Sequence, residues 1–183
     1  MTDELALTGA LTESQRLGFL GSRPIEEVIE HARAFVAGLG AVEHGGRVID
    51  LGSGGGVPGL VIAHDRPDLR VTLLDRRTKR TDFLERMVRR LGWDERVSVI
   101  AGDVADFDPH PRFDAAVARG FGPPAQTLRV AASMVRPGGI VVISEPPQGD
   151  RWDPDVVTAL HVERTPAPDA AGRVAVFHRL ADT

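Results

Sequence analysis

The residues with the clearest chemical potential are a cluster of glycines that follows an aspartate. Asp50, Gly52, Gly54 and Gly56 form the pattern Asp-x-Gly-x-Gly-x-Gly, and Gly59 follows three residues later. Glycine allows a tight turn and lets backbone N–H groups approach a ligand without a Cβ in the way. The N–H groups at the start of a following helix favour anionic or hydrogen-bond-accepting groups. The segment therefore predicts a ligand-binding loop between a strand and a helix.

Two acids narrow the kind of ligand. Asp50 ends the predicted strand before the glycines, where it would repel a pyrophosphate but suits a cationic amino group. Asp75 ends the next predicted strand, 25 residues further on, where a carboxylate can accept hydrogen bonds from both hydroxyls of a ribose. A nucleoside that carries a cationic amino acid is S-adenosylmethionine, and we predict this cofactor. The alternative is a plain tight turn in which Asp50 caps the helix.

A third acid follows the third predicted strand. Asp103 stands directly before Val104. At this position a carboxylate can accept a hydrogen bond from an adenine amino group while an apolar neighbour packs against the ring. The alternative is that Asp103 serves only as a turn residue.

The elements that would position these residues alternate between strands and helices. The segment up to about residue 46 has helical spacing of its apolar residues, and we treat 1–46 as a helical segment packed on the same domain as 47–183. Short apolar runs predict strands at 48–51, 71–74, 97–100, 115–117 and 140–144. Helical patterns lie between them near 57–65, 78–91 and 123–135, and a short helix is predicted near 153–160.

This alternation predicts an α/β fold with a parallel sheet covered by helices on both faces. Residues 137–139, Pro-Gly-Gly, predict a turn before the fifth strand. At the end of the chain, runs at 162–165 and 174–180 flank a turn and predict an antiparallel hairpin at the sheet edge. We therefore expect about seven strands, mostly parallel.

Composition excludes several classes of function. The chain has 183 residues and no cysteine, which excludes disulfides, thiolate nucleophiles and cysteine-ligated zinc. Six histidines are scattered without metal-site spacing, so we predict no metal. The net charge of −4 gives no global field that would attract nucleic acid or membranes. Without a long apolar run or a secretory signal pattern, the chain is expected to be cytoplasmic and free of membrane contact.

Three segments together resemble a known family. The first is the glycine segment, which ends in Gly-Val-Pro-Gly at 56–59. The second is 67–84, with Leu-x-Asp at 73–75, Lys-Arg at 79–80 and Phe-Leu at 83–84. The third is 113–121, which contains Arg119. Over about 25–145 the chain is similar to the bacterial small-subunit ribosomal RNA guanine-N7 methyltransferases, also called the glucose-inhibited division protein B family. The resemblance implies a Rossmann-like class I methyltransferase fold.

The resemblance also implies site residues. Gly52 and Val57 would touch the methyl donor, Val104 and Ala105 would flank its adenine, and Arg119 would sit beside the donor and the target base. Two departures concern the side where RNA would enter. Val104-Ala105 replaces the usual Ala-Glu, and Glu145 replaces a common lysine after the fifth strand.

Arg119 is the candidate catalytic residue. Guanine N7 carries a free lone pair, so its methylation needs no general base and rests largely on positioning. Arg119 would donate a hydrogen bond to the guanine carbonyl or to a phosphate and so orient the base. The alternative is a surface ion pair.

The predicted helix at 78–91 is rich in basic side chains. Together with Arg76 and Arg77 it forms a patch that would suit RNA phosphates. A solvated face with Glu85–Arg89 pairing is favoured, because no aromatic residues interleave for base stacking.

Three classes of function follow from the sequence. The favoured one is a methyltransferase whose partner is ribosomal RNA or the small ribosomal subunit. The second is a small-molecule methyltransferase that uses the same donor site. The third, a dinucleotide-binding module, is disfavoured by Asp50 and the terminal hairpin. The oligomeric state is left open, a monomer included.

Overall fold

The computed structural model describes residues 2–146, 151–170 and 172–181. Among these residues, no helix is long and apolar enough to cross a membrane. The helices are α1 (Thr2–Arg16), α2 (Ile25–Gly38), α3 (Gly59–Asp65), α4 (Thr78–Arg90), α5 (Pro124–Met134) and α6 (Pro154–Ala159), with a 3₁₀ turn at Val104–Asp106. The strands are β1 (Arg47–Leu51), β2 (Arg70–Asp75), β3 (Val97–Ala101), β4 (Phe113–Ala118), β5 (Val135–Ser144), β6 (Val162–Thr165) and β7 (Val174–Arg179).

The seven strands of the described chain form one sheet in the order β3-β2-β1-β4-β5-β7-β6. Strands β1 to β5 pair in parallel, whereas β7 is antiparallel to both β5 and β6. The prediction of a mostly parallel sheet with a terminal antiparallel hairpin is confirmed. The carboxyl ends of β1 to β4 meet at one edge, because parallel neighbours in register end together.

Alternate side chains of the strands enter two separate cores. Val48, Val71 and Val117 pack on one face together with buried side chains of α1, α2, α3 and α4. Ile49 and Leu74 pack on the other face with buried side chains of α5 and with Trp152. Apolar residues at successive strand positions therefore cover both faces, as a central parallel sheet requires. The expectation of helices on both faces is confirmed.

The fifth strand differs from the prediction at its start. It begins at Val135, and the Pro-Gly-Gly of 137–139 lies within it. Phe113 pairs with Val135 and Ala115 pairs with Ile140, so the extra residues of β5 bulge out between these two pairs. Proline cannot donate to a neighbouring strand and Gly138 has a φ of +75°, so both fit a bulge.

Candidate functional site

The glycine loop joins β1 to α3 at the carboxyl edge of the sheet. Its N–H groups at Gly52 and Ser53 both donate to the Leu74 carbonyl, which fixes the start of the loop to β2. Gly54 has a φ of +56°, a left-handed conformation that favours glycine, and its N–H donates to Asp75 Oδ2 at 2.8 Å. The loop is thus held against the end of β2.

Gly59 is required by close packing at the first residue of α3. A Cβ on Gly59 would lie 2.2 Å from Leu73 Cδ2 and 2.6 Å from Asp50 Oδ2. The last glycine of the pattern therefore lets α3 begin directly over β1 and β2.

Asp50 lies beneath the loop and is 1% exposed. Its Oδ2 accepts a hydrogen bond from the Gly59 N–H at 3.0 Å, which is the helix-capping contact considered as an alternative. Its Oδ1 is buried and has no hydrogen-bond partner in the described part of the chain. Burial raises the pKa of Asp50 to about 7, against the Gly59 hydrogen bond and the positive charge of Arg119, which lower it. The carboxyl thus has an unused oxygen and lacks a full counter-charge.

Asp75 ends β2 and is 4% exposed. Its Oδ2 accepts from Gly54 and lies 3.6 Å from Arg80 Nη1, while its Oδ1 accepts from the Arg77 N–H at 2.9 Å. These contacts fix the carboxylate, and a carboxylate has about four acceptor positions. Acceptor capacity therefore remains on the side that faces the neighbouring cavity.

Asp103 follows β3 and is exposed. Its Oδ1 accepts from the Ala105 N–H at 3.0 Å and so caps the 3₁₀ turn. This is the turn role considered as an alternative, and the second oxygen is not used by that bond. Val104 is partly buried against the α5 side of the sheet.

A cavity of about 700 Å³ opens beside these loops. It runs from the glycine loop past the 3₁₀ turn to α5. Of the residues predicted to bind the cofactor, the structure brings five to its wall: Gly52, Asp75, Asp103, Val104 and Ala105. The other five lie outside its lining: Asp50, Gly54, Gly56, Val57 and Arg119. Among these, the Val57 side chain is buried in the core on the α3 side of the sheet.

Arg119 directly follows β4 and is exposed at the same edge of the sheet. Loss of hydration lowers its pKa from the ordinary arginine value, the Asp50 carboxylate acts against that shift, and Arg23 adds to it. Within the described ranges Arg119 makes no ion pair, so the surface-pair alternative finds no partner there.

Several cavity residues were not predicted to be part of the site. Phe121 lines the cavity, and its ring would lie 3.0 Å from a Cβ on Gly52. Its place two residues after Arg119 is the sequence signal that would have indicated it. Arg76 and Arg77 also line the cavity, are exposed, and make no ion pair in the described chain.

Glu145, which stands after the fifth strand where the resembled family commonly has a lysine, is held by contacts within the fold. Its side chain is 2% exposed, accepts from Trp152 Nε1 at 2.6 Å, and lies 3.4 Å from Arg151 Nε. The acid thus joins the end of β5 to the residues directly before α6. Across the described residues, no group of three or more histidine, cysteine or acidic side chains is placed to hold a metal ion.

The sequence of this chain matches a known protein family. The model of the family described as rRNA small subunit methyltransferase G matches residues 8–146. A protein named ribosomal RNA small subunit methyltransferase G from Mycolicibacterium smegmatis is 34% identical over 143 residues, which cover 76% of this chain and 59% of the relative. Its namesake from Thermobifida fusca is 32% identical over 160 residues, covering 87% of this chain and 66% of the relative. The namesake from Frankia alni is 38% identical over 104 residues, covering 55% and 40%.

Solved structures share the architecture. A SAM-dependent methyltransferase from Thiobacillus denitrificans, crystallised with S-adenosyl-L-homocysteine, is 29% identical with a TM-score of 0.52, covering 66% of this chain and 48% of that chain. A SAM-dependent methyltransferase from Geobacter sulfurreducens is 24% identical with a TM-score of 0.56, covering 77% and 65%, and supports the fold alone. The chain spans less than half of the Frankia alni relative's length. Because the family model matches about three quarters of its residues, the chain belongs to the rRNA small subunit methyltransferase G family.

Proposed function

We propose that this chain is an S-adenosylmethionine-dependent methyltransferase that methylates N7 of a guanine in small-subunit ribosomal RNA. The observation that carries the proposal is the meeting of Asp50, Asp75 and the glycine loop at one edge of the sheet, beside the 700 Å³ cavity. The name of the matching family supports methylation of small-subunit ribosomal RNA, and the name of the Thiobacillus denitrificans structure supports the cofactor. Ribosomal subunits are the proposed partner and the cytoplasm is the proposed location.

The side chains at this edge of the sheet have the chemistry that S-adenosylmethionine requires. The Oδ1 of Asp50 is a buried acceptor without a hydrogen-bond partner among the described residues, and an ammonium group would donate to it and balance the charge of the carboxylate. Asp75 lines the cavity with acceptor capacity for ribose hydroxyls. Val104 and Ala105 offer an apolar wall for adenine, and Gly52, Gly54, Gly56 and Val57 belong to the loop that shapes the donor site.

The residues of this chain act by binding and orientation. S-adenosylmethionine supplies a methyl group on a sulfonium, which is a good leaving group for direct displacement. Guanine N7 has a free lone pair, so no residue has to remove a proton. Arg119 has no hydrogen bond or ion pair among the described residues, so its guanidinium is available to donate to the guanine carbonyl or to a neighbouring phosphate. Holding the two reactants in line contributes at most about 7–11 kcal/mol to lowering the barrier.

Two arginines at the cavity wall would suit an anionic acceptor. Arg76 and Arg77 are exposed at its wall without an ion pair in the described chain. The donor is itself a cation and carries no phosphate, so it leaves these two charges unbalanced. The phosphates of an RNA would balance them.

Transfer of a labelled methyl group tests the proposal. Small subunits from cells without this methylation should accept the label from S-adenosylmethionine at a guanine N7, whereas a pool of small metabolites should not. Label in the metabolite pool alone would favour the small-molecule alternative.

In calorimetry, the chain should bind S-adenosylmethionine and not NADH, and the reverse result would favour a dinucleotide-binding module.

A substitution at Asp75 checks that binding occurs at this site. Asp75→Asn should weaken donor binding by about 1–3 kcal/mol, because hydroxyl groups lose a charged acceptor. Asp82→Asn is the matched control, since Asp82 is an exposed acid on α4 that does not line the cavity. Equal donor affinity in both variants would remove Asp75 from the site.

A further inference from the structure

A buried hydroxyl on the first helix contacts the glycine loop. Ser14, in the last turn of α1, is 0% exposed, and its Oγ donates to the Gly55 carbonyl at 2.8 Å. The two residues are 41 positions apart in the chain. Serine is a poorer helix former than alanine, and a buried hydroxyl without a partner is costly. Its bond to Gly55 accounts for its presence at this position.

The contact is close on the loop side as well. A Cβ on Gly55 would lie 2.5 Å from Ser14 Oγ and 2.7 Å from Leu20 Cδ2. Any larger residue at Gly55 would push α1 and the segment after it away from the loop. The absence of a side chain at Gly55 thus serves the approach of α1, and the loop is sandwiched between α1 and the sheet.

Gly55 directly follows Gly54, whose N–H holds the Asp75 carboxylate proposed to bind the ribose hydroxyls. The neighbouring Gly54 N–H donates to Asp75 Oδ2, and Gly56 N–H donates to the Ser53 carbonyl. The Gly55 carbonyl shares a planar peptide group with the Gly56 N–H, and the Ser53 carbonyl that accepts from Gly56 shares one with the Gly54 N–H. Fixing the Gly55 carbonyl from outside therefore holds the Gly54 N–H on Asp75.

We infer that Ser14 is a positioning residue of the donor site, which holds the glycine loop in its binding shape through the Gly55 carbonyl. This inference rests on the proposed function. Ser14 does not line the cavity, so its effect reaches the donor only through the loop. The last turn of the first helix then contributes to the shape of the donor site.

Ser14→Ala is the primary test. The loss of the hydroxyl leaves a buried carbonyl without its donor, and we expect about tenfold weaker donor binding, equivalent to ~1.4 kcal/mol. At saturating donor the single-turnover rate should stay within about twofold of wild type, because the reacting groups are untouched. Ser14→Thr keeps the hydroxyl and should retain most of the affinity.

Two controls separate positioning from general loosening. Leu7→Ala removes a buried apolar side chain two turns earlier on α1, and it should lower the melting temperature without weakening donor binding. Gly55→Ala tests the contact from the loop side and should weaken donor binding, whereas Gly9→Ala, at an open position of α1, should not. If Ser14→Ala does not fold, the comparison of Gly55→Ala with Gly9→Ala tests the same contact.

The outcomes are distinguishable. If wild type binds the donor and Ser14→Ala binds it equally well, the positioning role is wrong and the proposed function stands. A loss of affinity in Leu7→Ala as large as in Ser14→Ala would also overturn the role. Absence of donor binding by the wild-type chain would overturn the proposed function and the inference with it.

Discussion

At the scale of single residues, the buried Asp50 carboxyl carries an electrostatic cost. One oxygen accepts from Gly59, the other has no partner among the described residues, and burial raises its pKa to about 7. The fold thus keeps an acid, at a cost in stability, where a cationic ligand group would be stabilised.

Asp50→Asn should change how stability depends on pH. Below about pH 4 the carboxyl is protonated in both the folded and the unfolded chain. Between about pH 4 and pH 7 the unfolded chain loses the proton while the folded chain keeps it, so this group lowers stability as pH rises. The full cost, present above pH 7, is at most about 4 kcal/mol.

The comparison is made by denaturant unfolding without donor. The asparagine side chain of the variant resembles the protonated acid, so the two chains should be similar near pH 4. Towards pH 8 the variant should become relatively more stable. A constant difference in unfolding free energy across this range would contradict the raised pKa of Asp50.

Arg119 is the residue at which donor and acceptor are expected to meet. Arg119→Ala should slow methyl transfer more than it weakens donor binding, because orientation acts on the reacting geometry. Arg119→Lys should restore little, since a point charge does not reproduce a planar donor pair. Single-turnover rates beside donor titrations measure both effects. An unchanged rate in Arg119→Ala would exclude the role, and a parallel loss of rate and affinity would indicate mainly donor contact.

At the scale of elements, the start of α4 differs from its end. Arg89 lies 3.7 Å from Glu85 and Arg90 lies 3.1 Å from Glu13, so the cations of the last turn are paired within the fold. The predicted Glu85–Arg89 pair is present. Arg76 and Arg77, directly before the helix, have no such partner in the part of the chain described. The solvated-face interpretation thus holds for the end of the helix and leaves its beginning open to an anionic partner.

Substitution at the two ends of this basic segment should affect RNA binding differently. Replacing both Arg76 and Arg77 by glutamine should weaken binding of a single-stranded RNA at low salt. The slope of log affinity against log salt concentration should fall by about 0.7 for each phosphate that the protein no longer neutralises. The control is the double replacement of Arg89 and Arg90 by glutamine, which removes the same charge from paired positions. Equal effects of the two double variants would show that only net charge matters.

Sequence patterns predicted the parts of the site that lie along the chain near a strand end. Asp50 and Asp75 lie at the carboxyl ends of β1 and β2, and Asp103 follows β3. Parallel strands in register bring the three acids to one edge of the sheet. The contact of Ser14 with Gly55 was not predictable, because it joins segments 41 residues apart through one hydrogen bond. The hydrogen bond between Glu145 and Trp152, seven residues further on, was also not predicted. Tertiary contacts of single polar groups leave no periodic signal.

Strand boundaries show the same limit. Periodicity located the apolar centre of β5, but its start at Val135 depends on pairing with Phe113 across a bulge. The Pro-Gly-Gly segment was correctly identified as irregular backbone and wrongly placed outside the strand. The proline and glycines of 137–139 predict the bulge in β5. The pairing with β4 determines where the strand begins and where it resumes after the bulge.

At the scale of the whole molecule, the N-terminal helices and the sheet share one core. Leu7 and Leu11 of α1 and Phe35 of α2 belong to the same buried cluster as the β1, β2 and β4 residues on that face. Gly38 supports this close approach, since a Cβ there would lie 3.0 Å from Val142 of β5. We therefore propose that residues 1–46 and 47–183 form a single folding unit.

A single unit should unfold in one cooperative step. Far-ultraviolet circular dichroism, which reports all helices, and fluorescence of Trp93 and Trp152, which lie in the two different cores, should give the same denaturant midpoint. A saturating donor should move both midpoints together, because a ligand that binds only the folded chain stabilises everything that unfolds with its site. At a donor concentration of about 100 Kd the gain should be about 2.7 kcal/mol. Separate midpoints, or a donor effect on one probe alone, would show that the N-terminal helices unfold independently of the donor site.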